Sequence, residues 1–365
     1  GYAALYANTT ASNNTAVGWY ALVANTTGEV NSAFGNSAMY TNTTGFGNTA
    51  VGKNSLYTNN GNNNTSVGHE ALELNTSGSS NVAVGRQALE ANTTAANNTA
   101  VGFESLKANT TGTQNTAVGK DALKANTTAS YNNAFGYQAL MTQVAGGVEN
   151  NAFGTAALQM NTTGDHNSAF GNEALEENTT GRHNVAFGNY ALTNSTTADN
   201  NCAIGSSALG LNVTGANNIA MGKNAMYNNT TGSNNVGLGY LTLDSNTTGS
   251  SNTAVGVSAL DANTTGANNT ALGNNALDAN TTGGDNTAIG VHALTANTTG
   301  QRNASTGMYS LSVNTTGSYN SAHGNYALRL NTTASNNTAM GYYALQANTT
   351  GAENVAVGYQ TLDAN

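Results

Sequence analysis

A glycine recurs every 17 residues along this chain, and no other residue ever takes its place. The series runs Gly1, Gly18, Gly35, Gly52, Gly68 and on to Gly358, 22 positions in all, with one step of 16 (Gly52 to Gly68) and one of 18 (Gly136 to Gly154). From that glycine the repeat reads G-x-x-A-L-x-A-N-T-T-G-x-x-N-T-A-V. Sequence held to one period folds as a stack of like units, each touching only its neighbours. A unit of 17 residues is too short for a pair of helices, which takes about 33–47 residues. The expected fold is therefore all-β: a parallel β-solenoid, or β-roll, with one coil per repeat. Residues 1–365 read as a single uninterrupted array of 21 repeats plus a partial one, and as a segment of a longer fibre protein.

The columns of the repeat assign its parts. N-T-A-V has strand-type residues and is the expected strand. The anchor glycine is expected to supply a positive-φ corner or a close backbone approach. The x-x-A-L stretch reads as a second short strand or a tight turn, and N-T-T-G-x-x as a turn. Alanine replaces the second glycine at 11, 95, 129, 198 and 334, so that position does not need positive φ. The missing residue (Asn59–Asn63) and the extra one (Gln143–Val148) both fall in the expected loop.

Two structural ladders follow. The invariant asparagine four before each anchor (Asn14, Asn31, Asn48 and on to Asn354, paired with Gly18, Gly35, Gly52 and Gly358) is expected inside, its amides bonding from coil to coil as asparagine ladders do. The alanine and the bulky apolar residue before each anchor are adjacent, so they face opposite sides of the strand. The bulky residue is expected to meet the leucine inside the coil. The small-residue ladder would then face outward, where close approach by a neighbouring chain would explain it.

Composition removes several function classes. Only 7% of residues are charged, with 9 Lys+Arg against 18 Asp+Glu; so few cations cannot neutralise many phosphates, which argues against nucleic acid. No apolar run approaches the roughly 18 residues of a membrane helix, so membrane insertion by this segment is not expected. Cys202 is alone and can form no internal disulfide. An asparagine-rich composition by itself suits a disordered tract, but disorder does not preserve register.

N-T-A-V-G (Asn48–Gly52 with its variant N-S-A-F-G at Asn31–Gly35) resembles the N-S-V-A-I-G strand motif of YadA-like trimeric autotransporter adhesin heads. The longer unit is similar to repeats found upstream of self-cleaving chaperone domains of phage-type tail fibres. The resemblance covers the whole chain. It implies a left-handed β-roll, intertwined or packed as a homotrimer, forming the head or shaft of an extracellular fibre on a cell surface or virion. It carries over no catalytic residue. The repeat is longer than in those heads, and threonine usually stands where they have valine.

A search for chemistry yields little. His69-Glu70 opens an H-E-x-x-H pattern, but Glu73 occupies the second histidine's place, so no zincin site forms. No phosphate loop, nucleophile elbow or dinucleotide fingerprint is present, and no enzyme activity or cofactor is expected. His323 and Thr306 interrupt the bulky column; three His323 rings around a threefold axis would suit a metal or anion, against a plain polar core position. Asp244, Asp261 and Asp278 stand on successive coils, and stacked carboxylates repel unless a cation such as Ca²⁺ intervenes; a solvated acidic stripe is the simpler expectation. His166 and His183 also stack, in a variable turn that places them at the surface. Trp19 and Tyr20, and the ladder Tyr309, Tyr326 and Tyr343, suit stacking on glycans or burial in a protein interface. The recurrent N-T-T carries an N-glycosylation sequon but also suits turn chemistry alone.

The leading functional expectation is structural and adhesive: a fibre giving reach and multivalent attachment to host or surface glycans and proteins. Two alternatives stand beside it. One is a self-assembling extracellular filament or surface-layer subunit. The other is an ice-binding solenoid using threonine ladders at Thr9/Thr10, Thr26/Thr27 and Thr264/Thr265.

Overall fold

In the computed structural model, which describes residues 1–363, each N-T-A-V segment forms a three-residue strand. The strands fall in two compact units, residues 1–183 and 184–365. The first holds ten, from β1 (Thr15–Val17) to β10 (Ser168–Phe170), and the second eleven, from β11 (Val185–Phe187) to β21 (Val355–Val357). Within each unit consecutive strands pair in parallel and without offset, so that Ala16 faces Ala33 and Ala33 faces Ala50. The register survives both length changes: Thr49 pairs Thr65, and Asn133 pairs Asn151. The fold is thus the parallel β-solenoid expected, with 17 residues between strands. Among the described residues no helix is long and apolar enough to cross a membrane.

The direction of the strand faces corrects the sequence reading. The alanine two before the anchor points inward and is fully buried, as at Ala33, Ala50 and Ala271. The bulky residue beside it points outward: Val17 is 55% exposed and Phe187 58%. The small-residue ladder therefore packs inside the coil and needs no neighbouring chain. The interior is too narrow for a second large side chain, because the leucine four after each anchor already fills it (Leu22, Leu56 and Leu294 are fully buried). Departures in the alanine column are compensated across that space. Ser66 Oγ accepts a hydrogen bond from Ser55 Oγ at 2.7 Å, and Ser305 lies 2.5 Å from Ser310. Where Gly237 replaces alanine, Met226 stands in for the leucine, and a Cβ on Gly237 would meet its Cε at 3.0 Å.

The x-x-A-L stretch is a turn, not a second strand. Its leucines sit in the left-handed region, with φ of 51° at Leu22 and 55° at Leu277. That conformation costs a non-glycine residue roughly 1–2 kcal/mol, while burying a leucine stabilises by about 1.5–3 kcal/mol. Glycine would avoid the strain and leave the core empty, so leucine wins. The backbone N–H of Leu22 is satisfied by Ala38 of the next coil at 2.9 Å. Both expected reasons for the anchor glycine hold. Gly119 has φ 137°, and a Cβ built there would lie 2.3 Å from the carbonyl oxygen of Gly136.

The asparagine column is internal, as expected. Asn31 donates its side-chain amide to Gly45 O at 2.8 Å while its backbone N–H reaches Asn14 Oδ1 at 2.9 Å. A second buried amide ladder went unread in the sequence: the asparagine of N-T-T. Asn25 and Asn42 are fully buried, and Asn25 Nδ2 donates to Asn8 Oδ1 and to Gly28 O at 2.8 and 2.9 Å. The sequon asparagine is a core residue in the folded coil, so N-T-T is turn and core chemistry.

Candidate functional site

The outward strand face carries an unusual surface. In the first unit one bulky apolar side chain per coil runs from Val17 to Phe170, and in the second from Phe187 to Val357, interrupted by Thr306 and His323. None of these side chains is buried. Phe135, Phe153 and Phe170 stack in series with centroids 4.6 and 4.7 Å apart. Beside this column, two residues earlier, threonine recurs in register, as Thr99 against Thr116 and Thr253 against Thr270. Such contiguous apolar surface marks interaction sites in soluble proteins. His323 belongs to this outward face and is half-exposed, 3.1 Å from Ser321 Oγ; it is not a polar core residue. Cys202 is half-buried at the threonine position, and burial pushes its thiol up, which leaves it less reactive than a free thiol.

The aromatic candidates form two separate groups, one in each unit. Trp19 is 53% exposed and stacks on Tyr2 at 4.7 Å, while Tyr20 sets its edge against Tyr2, Trp19 and Tyr40. Tyr309, Tyr326 and Tyr343 form the expected ladder, 5.5 and 4.9 Å apart, with His292 beyond Tyr309 and Arg329 over the first two rings. Stacking has a consequence for binding. Rings in a ladder cover one another's faces, so a ligand meets edges and hydroxyls rather than the flat platform a sugar ring prefers. The free faces lie at the ends of each stack.

Asp244, Asp261 and Asp278 come together as one half-buried column. Burial, then repulsion from Asp244 and Asp278, pushes the Asp261 carboxyl up to about 6. Burial also raises Asp244 and Asp278, and Asp244 Oδ1 has no hydrogen-bond partner. The column sits beside Ala262 and Ala279, and His292 lies near enough to Asp278 to oppose the rise of its carboxyl.

An open groove of about 770 Å³ lies elsewhere in the first unit. Ala91, Ala108 and Ala125 form its floor between Leu74 and Met141. Its rim is an ion-pair chain: Lys124 lies 2.6 Å from Glu104, and Lys107 3.0 Å from Glu104 and 3.4 Å from Glu90. The hydrogen bond from Lys124 holds the Glu104 carboxyl below its usual range. Charges this well paired leave the groove without a strong preference for ligand charge.

The threonines proposed for ice are partly committed. Thr26 and Thr264 donate their hydroxyls to the carbonyls of Thr43 and Thr281 at 3.0 Å, leaving Thr27 and Thr265 exposed. Compared with known proteins, the chain matches no family model and no curated protein sequence.

Proposed function

We propose that this chain is a structural and adhesive segment, the shaft or head of an extracellular trimeric fibre whose copies pack through the outward strand face. The carrying observation is the exposed apolar column, from Val17 to Phe170 in one unit and from Phe187 to Val357 in the other. Water contact along every coil is costly for a monomer, and association removes it at about 25 cal/mol per Å² of apolar surface. Repetition then gives reach, and three copies of each weak surface site give avidity. The motif resemblance agrees with this reading.

Light scattering combined with small-angle X-ray scattering tests it. The expected particle has three times the 36.8 kDa chain mass, and Phe153→Glu with Phe170→Glu reduces it to monomers with an unchanged far-UV circular dichroism spectrum. A wild-type monomer at micromolar concentration overturns the proposal.

A second reading rests on the same face. Threonine beside a bulky apolar side chain, repeated coil after coil as in Thr99/Val101 and Thr116/Val118, is a regular array of the kind that orders water against ice. Thermal hysteresis abolished by Thr116→Lys would favour ice binding over the fibre; its absence in the wild type removes that reading.

A further inference from the structure

Two groups of ligand-type side chains converge among the described residues. One, Glu70, Glu73 and Glu90, is entirely carboxylate; the other combines Asp165, His166 and His183, whose ligand atoms all lie within 4.8 Å of one another. We propose that Asp165, His166 and His183 bind a divalent transition metal of the zinc, cobalt, nickel and copper class, with Glu149 as the residue that positions His166.

The geometry follows from the repeat. Glu149, His166 and His183 occupy the same turn position on three successive coils, with φ of 58°, 57° and 56°. Identical backbone angles launch the three side chains in one direction, one coil apart. The coils are tied there by the backbone: His166 N–H donates to Val148 O at 3.0 Å and His183 N–H to Asp165 O at 3.2 Å. The two imidazoles stack with centroids 4.9 Å apart. Neither ring is buried, so an ion reaches the site without the protein opening.

The contacts of His166 divide its two nitrogens between two tasks. Nδ1 lies 3.2 Å from Asp165 Oδ1, and Nε2 lies 3.2 Å from Glu149 Oε2. A metal replacing the proton between Nδ1 and Asp165 takes both as ligands, and His183 supplies the third. The Nε2–H then donates to Glu149, the carboxylate–histidine–metal arrangement that fixes tautomer and ring orientation at metal centres. Two imidazoles and one carboxylate suit borderline ions and not Ca²⁺ or Mg²⁺, which take oxygen ligands. Arg182 Nε forms an ion pair with the same Asp165 oxygen at 3.7 Å, which a bound metal ion would displace. The ion would bridge the coil of His166 to the coil of His183 and staple two adjacent turns.

Isothermal titration of the full chain with Zn²⁺ tests the site, and Co²⁺ absorption reports the ligands. The expected result is one Zn²⁺ per chain, with His183→Ala weakening binding at least tenfold and Glu149→Gln weakening it about 10–100-fold. His292→Ala, at a histidine outside the cluster, leaves binding unchanged. Because these side chains are at the surface, each variant is expected to melt as the metal-free wild type does, and the melt is recorded alongside. No stoichiometric Zn²⁺ binding below about 100 μM, or binding equal in wild type and His183→Ala, overturns the proposal.

Discussion

The side-chain oxygen of Asn31 accepts the backbone N–H of Asn48, one coil further on, at 3.0 Å. Asn48 does the same for Asn64 at 2.9 Å. The amide thus serves two directions at once: its oxygen caps the backbone of the next coil and its nitrogen holds the turn, as Asn48 Nδ2 holds Gly61 O at 2.9 Å. Only a short side chain carrying both acceptor and donor does this, which is why aspartate and alanine never appear in the column.

Asn48→Ala removes the acceptor for a buried N–H and should cost about 1–3 kcal/mol. The exposed Thr94→Ala should shift stability by no more than about 0.5 kcal/mol. Urea denaturation compares the two. Equal midpoints would mean that the ladder contributes nothing beyond ordinary turn structure.

Ser55 and Ser66 are bonded to each other in a column pair that is mostly alanine. Replacing both by alanine restores the common apolar packing and should be nearly neutral, whereas either single change should cost about 1 kcal/mol. A double-mutant cycle is expected to give a coupling of at least about 0.5 kcal/mol. Additive effects would show that the two hydroxyls act independently.

Gln143 stands in the second amide ladder in the coil that carries an extra residue. Its longer arm reaches Gly147 O at 2.5 Å and offers Oε1 to Asn161 at 3.2 Å. Gln143→Asn should therefore lower stability by about 1–2 kcal/mol. Deleting Gly146, whose Cβ position faces open space, should recover it by restoring the common loop length. If the deletion fails to rescue, the glutamine is not compensating for length.

Asp261 titrates from the wrong side for a stabilising carboxylate. Its folded value near 6 lies above the ordinary 3.8, so the folded state binds the extra proton and stability falls as pH rises from about 4 to 6. Above that window the full penalty applies; below it the penalty is absent. Asp261→Asn should raise the melting temperature at pH 7.5 and give no gain at pH 3.5. Solvent screening at this half-buried site keeps the gain modest. A gain that persists unchanged at pH 3.5 would assign the effect to packing rather than charge.

What the sequence determined by itself is the period, the fold class and where the strand and the loop fall in each repeat. The invariance of Gly119 and its equivalents encodes two constraints that chain geometry imposes, positive φ and contact with the next coil's carbonyl. Asn31 and Asn48 were legible as internal because, the anchor glycine apart, no other column of the repeat is invariant. Tertiary structure decided which strand face is inside. Alternation makes Ala50 and Val51 opposite but does not say which is buried, and the larger side chain is the natural guess. Leu56, driven inward through a left-handed turn at φ 51°, takes the space instead and turns Val51 to the surface. The convergence of Asp165, His166 and His183 also needed three dimensions, since a variable turn gives no pattern until stacking sets its side chains one coil apart.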